Sequence, residues 1–242
     1  MNFFIVFLFL GLFISLFSVY YLSRDDHIFL RKDVTMEKIF NLAFIVFFGG
    51  LFFARVFYGL LYSTKIFLNP LIFFLFPYFP GLSLTGGVIG GIFFLLLISI
   101  SKNLPIGRIF DVFSISILSC FSLGYLGFFL LSGQNLLSVK PIFLIVVYIV
   151  LFYVFIKYIH QYLLKGILKD GSGGLLFLIS FSLISLAVNI IDKFKSNPFL
   201  GKPENPLLFL ILVLSVHPAT LKANVPANAI FVKVFLIVII IL

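Results

Sequence analysis

The chain has 242 residues, 62% hydrophobic and 10% charged, with a mean hydropathy of +1.27 and a formal net charge of +9. Charge this sparse excludes a soluble globular domain, and apolar runs that are continuous instead of alternating exclude a transmembrane barrel. The basic excess is no nucleic-acid footprint, because Lys and Arg are spread over short connectors and form no patch.

The expected architecture is all-α: a polytopic membrane protein of about seven transmembrane helices in one integral membrane domain, residues 1–242. Phe3–Leu22 reads as the first spanning helix, not a cleaved leader, since no basic residue precedes Phe3 and no small-residue cleavage site follows. The connector SRDDHIFLRKDVTMEK follows, with Thr35 as N-cap and Glu37 in the next first turn. Helix 2 spans about Ile39–Tyr62 and carries Gly49-Gly50 and Arg55.

Pro70, Pro77 and Pro80 then break an apolar stretch, which reads as an interfacial or re-entrant segment between helices 2 and 3. Helix 3 covers about Leu84–Ile100 and opens with Gly86-Gly87 and Gly90-Gly91. Glycines at that spacing leave a bare backbone strip that a neighbouring helix or a lipid headgroup can approach closely.

Helix 4 covers about Ile109–Ser132, with Asp111 in its first turn. Helix 5 covers Ile142–Leu164 after a polar loop Gly133–Lys140, helix 6 covers Leu175–Ile191, and a short helix 7 covers Pro206–Val216. A family-like core would end near residue 216, leaving 217–242 as an apolar tail. The connectors 1–2, 3–4 and 5–6 hold more Lys and Arg than the others. The positive-inside rule therefore puts the N-terminus outside and the chain after helix 7 in the cytoplasm.

A charge in hydrocarbon costs about 2.5–3.5 kcal/mol on insertion scales. Arg55 therefore either snorkels to the outer interface or binds a lipid phosphate, which its guanidinium fork suits. Asp111 reads as a dipole-stabilised helix start, and Asp192 with Lys193 and Lys195 as an interfacial helix end. His160 and His217 read as interfacial and helix-breaking positions. The single cysteine, Cys120, lies in an apolar run and packs. No metal-ligand spacing, cofactor motif, nucleophile elbow or phosphate loop is visible, so no metal and no cofactor is expected.

Four stretches together resemble the prolipoprotein diacylglyceryl transferase family. Phe53-Ala54-Arg55-Val56-Phe57-Tyr58 is similar to its G-A-R-l-x-Y motif, and the run from Gly81 to Gly91 to its G-l-s-f-H-G-G-l-i-G motif. Gly124-Tyr125-Leu126-Gly127-Phe128 lies on its G-R-x-G-N-F signature, and Asp192-Lys193-Phe194-Lys195 in its late R-F-x-x-E-x-x-R region. Thr85 stands where the family has histidine; Tyr125 and Phe128 stand where it has arginine and asparagine.

The resemblance implies transfer of a diacylglyceryl group from phosphatidylglycerol to the cysteine of a prelipoprotein signal peptide, in the bacterial cytoplasmic membrane. It makes Arg55, Lys140 and Asp192 catalytic candidates, with Lys195 beside them. Arg55, Thr85, Gly86, Gly87, Gly90, Gly124, Tyr125 and Gly127 are lipid-binding candidates. The replaced signature residues leave a second reading, a non-catalytic protein that binds lipid or a partner on the same scaffold.

Overall fold

The computed structural model describes residues 3–62, 81–131, 139–192 and 202–220. Every regular element they form is helical: α1 (Phe3–Ser23), α2 (His27–Arg31), α3 (Met36–Leu61), α4 (Leu84–Ser101), α5 (Ile106–Leu131), α6 (Val139–Val154), a π-helical turn (Phe155–His160), α7 (Gln161–Leu164), α8 (Ser172–Asp192) and α9 (Asn205–Thr220). Among the described residues, six helical segments are long and apolar enough to cross a membrane, and α9 is a shorter apolar helix. The chain is a multi-pass membrane protein.

The expected helices are present, with shifted ends. Helix α5 starts at Ile106, so Asp111 is not in its first turn and does not serve as a dipole-stabilised start. Helix α6 starts at Val139, with Pro141 in the first turn, where a missing N–H costs nothing. Lys140 is therefore helical and not in a loop. The expected single helix 5 is interrupted by the π-helical turn. Helix α9 continues past Pro218. The Pro-broken segment and the tail beyond residue 220 lie outside the described residues.

Local chemistry sets the helix ends. Asp26 caps α2 by accepting from the Ile28 N–H at 2.9 Å, and Ser83 caps α4 by accepting from the Gly86 N–H at 3.1 Å. Thr35 Oγ1 accepts from the Lys38 N–H at 3.4 Å, in the expected capping position. Helices α2, α4 and α7 end alike, with a left-handed residue (Asp33, φ 50°; Asn103, φ 51°; Gly166, φ 69°) and a bond from the next N–H to the carbonyl five residues back. That is the Schellman closure, and Asn, Asp and Gly are the residues that tolerate it.

The chain divides into two compact units, Met1–Phe44 with Arg108–Gly173, and Ile45–Gly107 with Gly174–Leu242. In the first, α1 meets α5 through small groups. Ser18 Oγ donates to Ser119 Oγ at 3.2 Å, the Cys120 thiol donates to the Gly11 carbonyl at 3.0 Å, and Gly127 lies against Phe7. At one end Arg108 of α5 pairs with Asp26 at 2.5 Å, and Asp170 stands 3.7 Å away. Asp111 accepts from the Gly171 N–H at 2.7 Å. Both Arg108 and Asp26 are buried, so their pairing is obligatory.

In the second unit, α3 and α4 run antiparallel and interlock. Phe57 of α3 fills the space over Gly86, and Phe53 the space over Gly90. One step further the roles reverse, and Phe94 of α4 fills the space over Gly49. Both partners repeat every four residues, so one stripe of rings meets one stripe of bare backbone. Between the stripes, Gly50 faces Gly87 so closely that a side chain at Gly50 would stand 3.2 Å from the Gly87 carbonyl oxygen.

Two stability tests follow from these contacts. A Cβ at Gly86 meets the Phe57 Cβ, and the Phe53 carbonyl at 3.0 Å, neither of which is a flexible tip. Gly86→Ala is therefore expected to cost about 1–3 kcal/mol. Gly11 has nothing within 4 Å, so Gly11→Ala is expected to be neutral or to gain up to about 1 kcal/mol. Thermal unfolding in detergent reads the difference; equal melting of both variants would refute the interlock. By the same assay Arg108→Met, which strands Asp26, should cost about 3–5 kcal/mol, and adding Asp26→Asn should restore much of it.

Candidate functional site

The polar residues of the second unit gather where α3 ends and α4 and α9 begin. At the end of α3, Arg55 and Tyr58 share a face, and Tyr62 follows just past the last residue of the helix. Arg55 is fully buried, and its Nη1 donates to the Gly81 carbonyl at 2.9 Å. The guanidinium is enclosed by protein. The Ser83 N–H donates to the Ala54 carbonyl at 3.0 Å, which ties the start of α4 to α3 next to Arg55. Gly81 sits on the Tyr58 ring, and Tyr58 and Tyr62 pack with centroids 4.9 Å apart.

Glu204 is the centre of this cluster. It precedes the first residue of α9, and its carbonyl accepts from the Leu208 N–H at 3.0 Å. Its carboxylate turns to the start of α4. Ser83 Oγ donates to Oε1 at 2.8 Å and Thr85 Oγ1 donates to Oε2 at 3.2 Å. The half-exposed Tyr62 also hydrogen-bonds the carboxylate. Burial, then the Glu204 and Tyr58 charges and this bond, push the Tyr62 hydroxyl above its ordinary value of 10.0, so it stays a donor at neutral pH.

Behind Glu204, Lys202 Nζ donates to Asn189 Oδ1 at 2.8 Å, and Asn189 Nδ2 donates to Asn205 Oδ1 at 2.9 Å. The cluster thus offers a guanidinium, an ammonium, the hydroxyls of Ser83, Thr85, Tyr58 and Tyr62, and a carboxylate at two helix N-termini. Such an end favours an anionic group, and its hydroxyls donate or accept as needed. Among the described residues no group of three His, Cys, Asp or Glu is gathered that could hold a metal ion.

The family model for prolipoprotein diacylglyceryl transferase matches residues 1–191. The chain belongs to that family. No curated protein and no solved structure matches it.

Of the site residues expected for a diacylglyceryl transferase family member, Arg55 and Thr85 stand in this cluster. Gly86, Gly87 and Gly90 stand just beyond it on α4, and the close approach they permit is made by Phe57, Ala54 and Phe53 of α3. Gly124, Tyr125 and Gly127 lie on α5 in the first unit, where Tyr125 stacks on the buried Tyr148 with centroids 5.4 Å apart. The side chains of Lys140 and Asp192, and all of Lys195, lie outside the described residues.

Sequence reasoning missed Glu204 and Lys202. The run Lys202-Pro203-Glu204-Asn205-Pro206 carried a usable signal, since an acidic or Asn residue before proline marks a helix start. Its partners Ser83 and Thr85 are 121 and 119 residues away, a separation that no local pattern reports.

The raised Tyr62 value has a pH consequence. A hydroxyl that binds its proton more tightly folded than unfolded contributes stability that is complete below the free value near 10 and lost as pH rises through the folded value. Tyr62→Phe is expected to flatten the alkaline fall in unfolding midpoint between about pH 9 and 11. A wild-type and variant fall of equal steepness would contradict the Tyr62–Glu204 bond.

Proposed function

We propose that the chain transfers a diacylglyceryl group from phosphatidylglycerol to the cysteine thiol of a prelipoprotein signal peptide, in the bacterial cytoplasmic membrane with its N-terminus outside. Family membership supports the reaction class. The observation that carries the reading for this chain is the buried Arg55 guanidinium at the start of α4, beside the Ser83 and Thr85 hydroxyls. The reaction breaks the bond between a glycerol carbon and a phosphate oxygen, and the leaving phosphate gathers charge. A pre-oriented cation in a low-dielectric setting stabilises that charge far better than water does. The α4 N-terminus adds to the same field. Lys140 and Asp192 are the further catalytic candidates. Gly124, Tyr125 and Gly127 are lipid-contact candidates on α5.

A second reading is favoured by one specific observation. Tyr125, at the position of the family's signature arginine, stacks on Tyr148, which Phe121 meets edge-on, so it is a member of an aromatic cluster. On that reading the scaffold binds phosphatidylglycerol or a partner and transfers nothing.

One experiment separates the two. The full chain is reconstituted in phosphatidylglycerol vesicles with a synthetic prelipoprotein peptide, and lipidation is followed by mass shift. The transferase reading expects product, with Arg55→Ala lowering the rate about 10²–10³-fold, the range for losing one charge-stabilising donor. Vesicle-reconstituted, folded protein that binds the lipid and yields no thioether would favour the second reading.

A further inference from the structure

We propose that Glu204 is the proton acceptor for the substrate thiol, an inference that rests on the transferase reading. A cysteine thiol with its free value near 8.5 is only a few per cent thiolate at pH 7, so transfer at neutral pH needs a base within reach of the sulfur. The cluster's remaining titratable groups do not suit the task. Arg55 has no lone pair to accept with. Lys202 is a cationic donor to Asn189. Tyr62, its proton held more tightly than usual, is a donor. The second unit has two acidic residues, Asp192 and Glu204, and Glu204 is the one whose side chain is described and stands in this cluster.

Geometry distinguishes its two oxygens. Ser83 Oγ is fixed twice, accepting from the Gly86 N–H at 3.1 Å and donating to Glu204 Oε1 at 2.8 Å. Oε1 is thereby anchored to the first turn of α4. Oε2 is held by the Thr85 hydroxyl at 3.2 Å, a longer bond from a group that can rotate away. Oε2 is the oxygen a thiol would reach by displacing the Thr85 hydroxyl, which can then turn to the incoming lipid phosphate. The hydroxyl donors hold the carboxylate aimed at this point. The proton passes to it as the S–C bond forms.

The step balances without a co-reactant. The S–H bond breaks and the proton passes to Glu204. The sulfur electron pair forms the S–C bond to the glycerol carbon, and the C–O bond breaks with its electron pair on the phosphate oxygen. Products are the thioether and a glycerol phosphate, and Glu204 returns its proton to water. Glu204 lies beyond residues 1–191, so the family match does not assign it.

The test is the pH profile of the vesicle reaction between pH 6 and 9 for wild type, Glu204→Gln and Glu204→Asp, each checked for folding by thermal unfolding. Wild type should be nearly flat below the thiol pKa. Glu204→Gln should be slower by about 10²–10⁴-fold at pH 7, the usual worth of a general base. Its rate should then climb about tenfold per pH unit, as the thiol ionises by itself, and level off near 8.5. Glu204→Asp, which keeps a carboxylate, should be slower but retain the flat profile. It carries the test if Glu204→Gln does not fold. A Glu204→Gln profile parallel to wild type, or a Glu204→Asp profile that climbs, overturns the proposal and leaves the transferase reading standing. A folded wild type that yields no thioether at any pH overturns both.

Discussion

The antiparallel interlock of α3 and α4 governs the geometry of the second unit. Membrane helices gain little from excluding water against one another, so close packing must supply the attraction. Here bulky rings are set against bare backbone: Phe57 over Gly86, Phe53 over Gly90 and Phe94 over Gly49. The alternation fixes both separation and register, since a shift of one residue would bring a ring against a side chain. Once register is fixed, Arg55 must lie level with the chain entering α4. The bonds from Arg55 to Gly81 and from Ser83 to Ala54 follow from that placement.

Phenylalanine abundance thus has a purpose beyond apolar bulk. A ring offers large contact area for few rotatable bonds, and against glycine it approaches the partner backbone itself. The Gly86–Gly90 strip is therefore a structural foundation for the polar cluster one turn away. The hydroxyls of Ser83 and Thr85 sit on a helix end that the interlock holds still, which is what a pre-organised site requires.

Much of the fold was legible because a bilayer imposes a simple rule: about twenty apolar residues per span. The runs at Phe3–Ser23, Met36–Leu61, Leu84–Ser101 and Ser172–Asp192 announce themselves by length, and the glycine pairs announce close approach. Two kinds of feature were not legible. The start of α5 at Ile106 turns on one turn of helix, and it moved Asp111 from a cap to a buried acceptor for Gly171. The partners of Asp26 and Ser83 are tertiary: Arg108 is 82 residues from Asp26, and Glu204 is 121 from Ser83. Arg55 was visible as a charge in an apolar run, which raised the question of where its guanidinium points. Glu204 was invisible because an acidic residue in a Pro-rich connector looks solvated until a helix end comes to meet it.

The two buried polar clusters differ in a way that separates stability from chemistry. In the first unit a guanidinium faces two carboxylates, Asp26 at 2.5 Å and Asp170 at 3.7 Å, with Arg108 and Asp26 both out of solvent. Opposite charges in a low dielectric exchange partners only at great cost, so that cluster locks α2 and the Asp170 turn to α5 and is unsuited to turnover. In the second unit the Glu204 carboxylate is solvated by neutral hydroxyls on Ser83, Thr85 and Tyr62. A hydroxyl can rotate from one acceptor to another at the cost of a single hydrogen bond, about 1 kcal/mol. A substrate group can therefore replace Thr85 at Glu204 and leave no charge stranded. With charge so scarce in the chain, the ionised residues of the first unit serve to hold it together, and those of the second are arranged so that their partners can change.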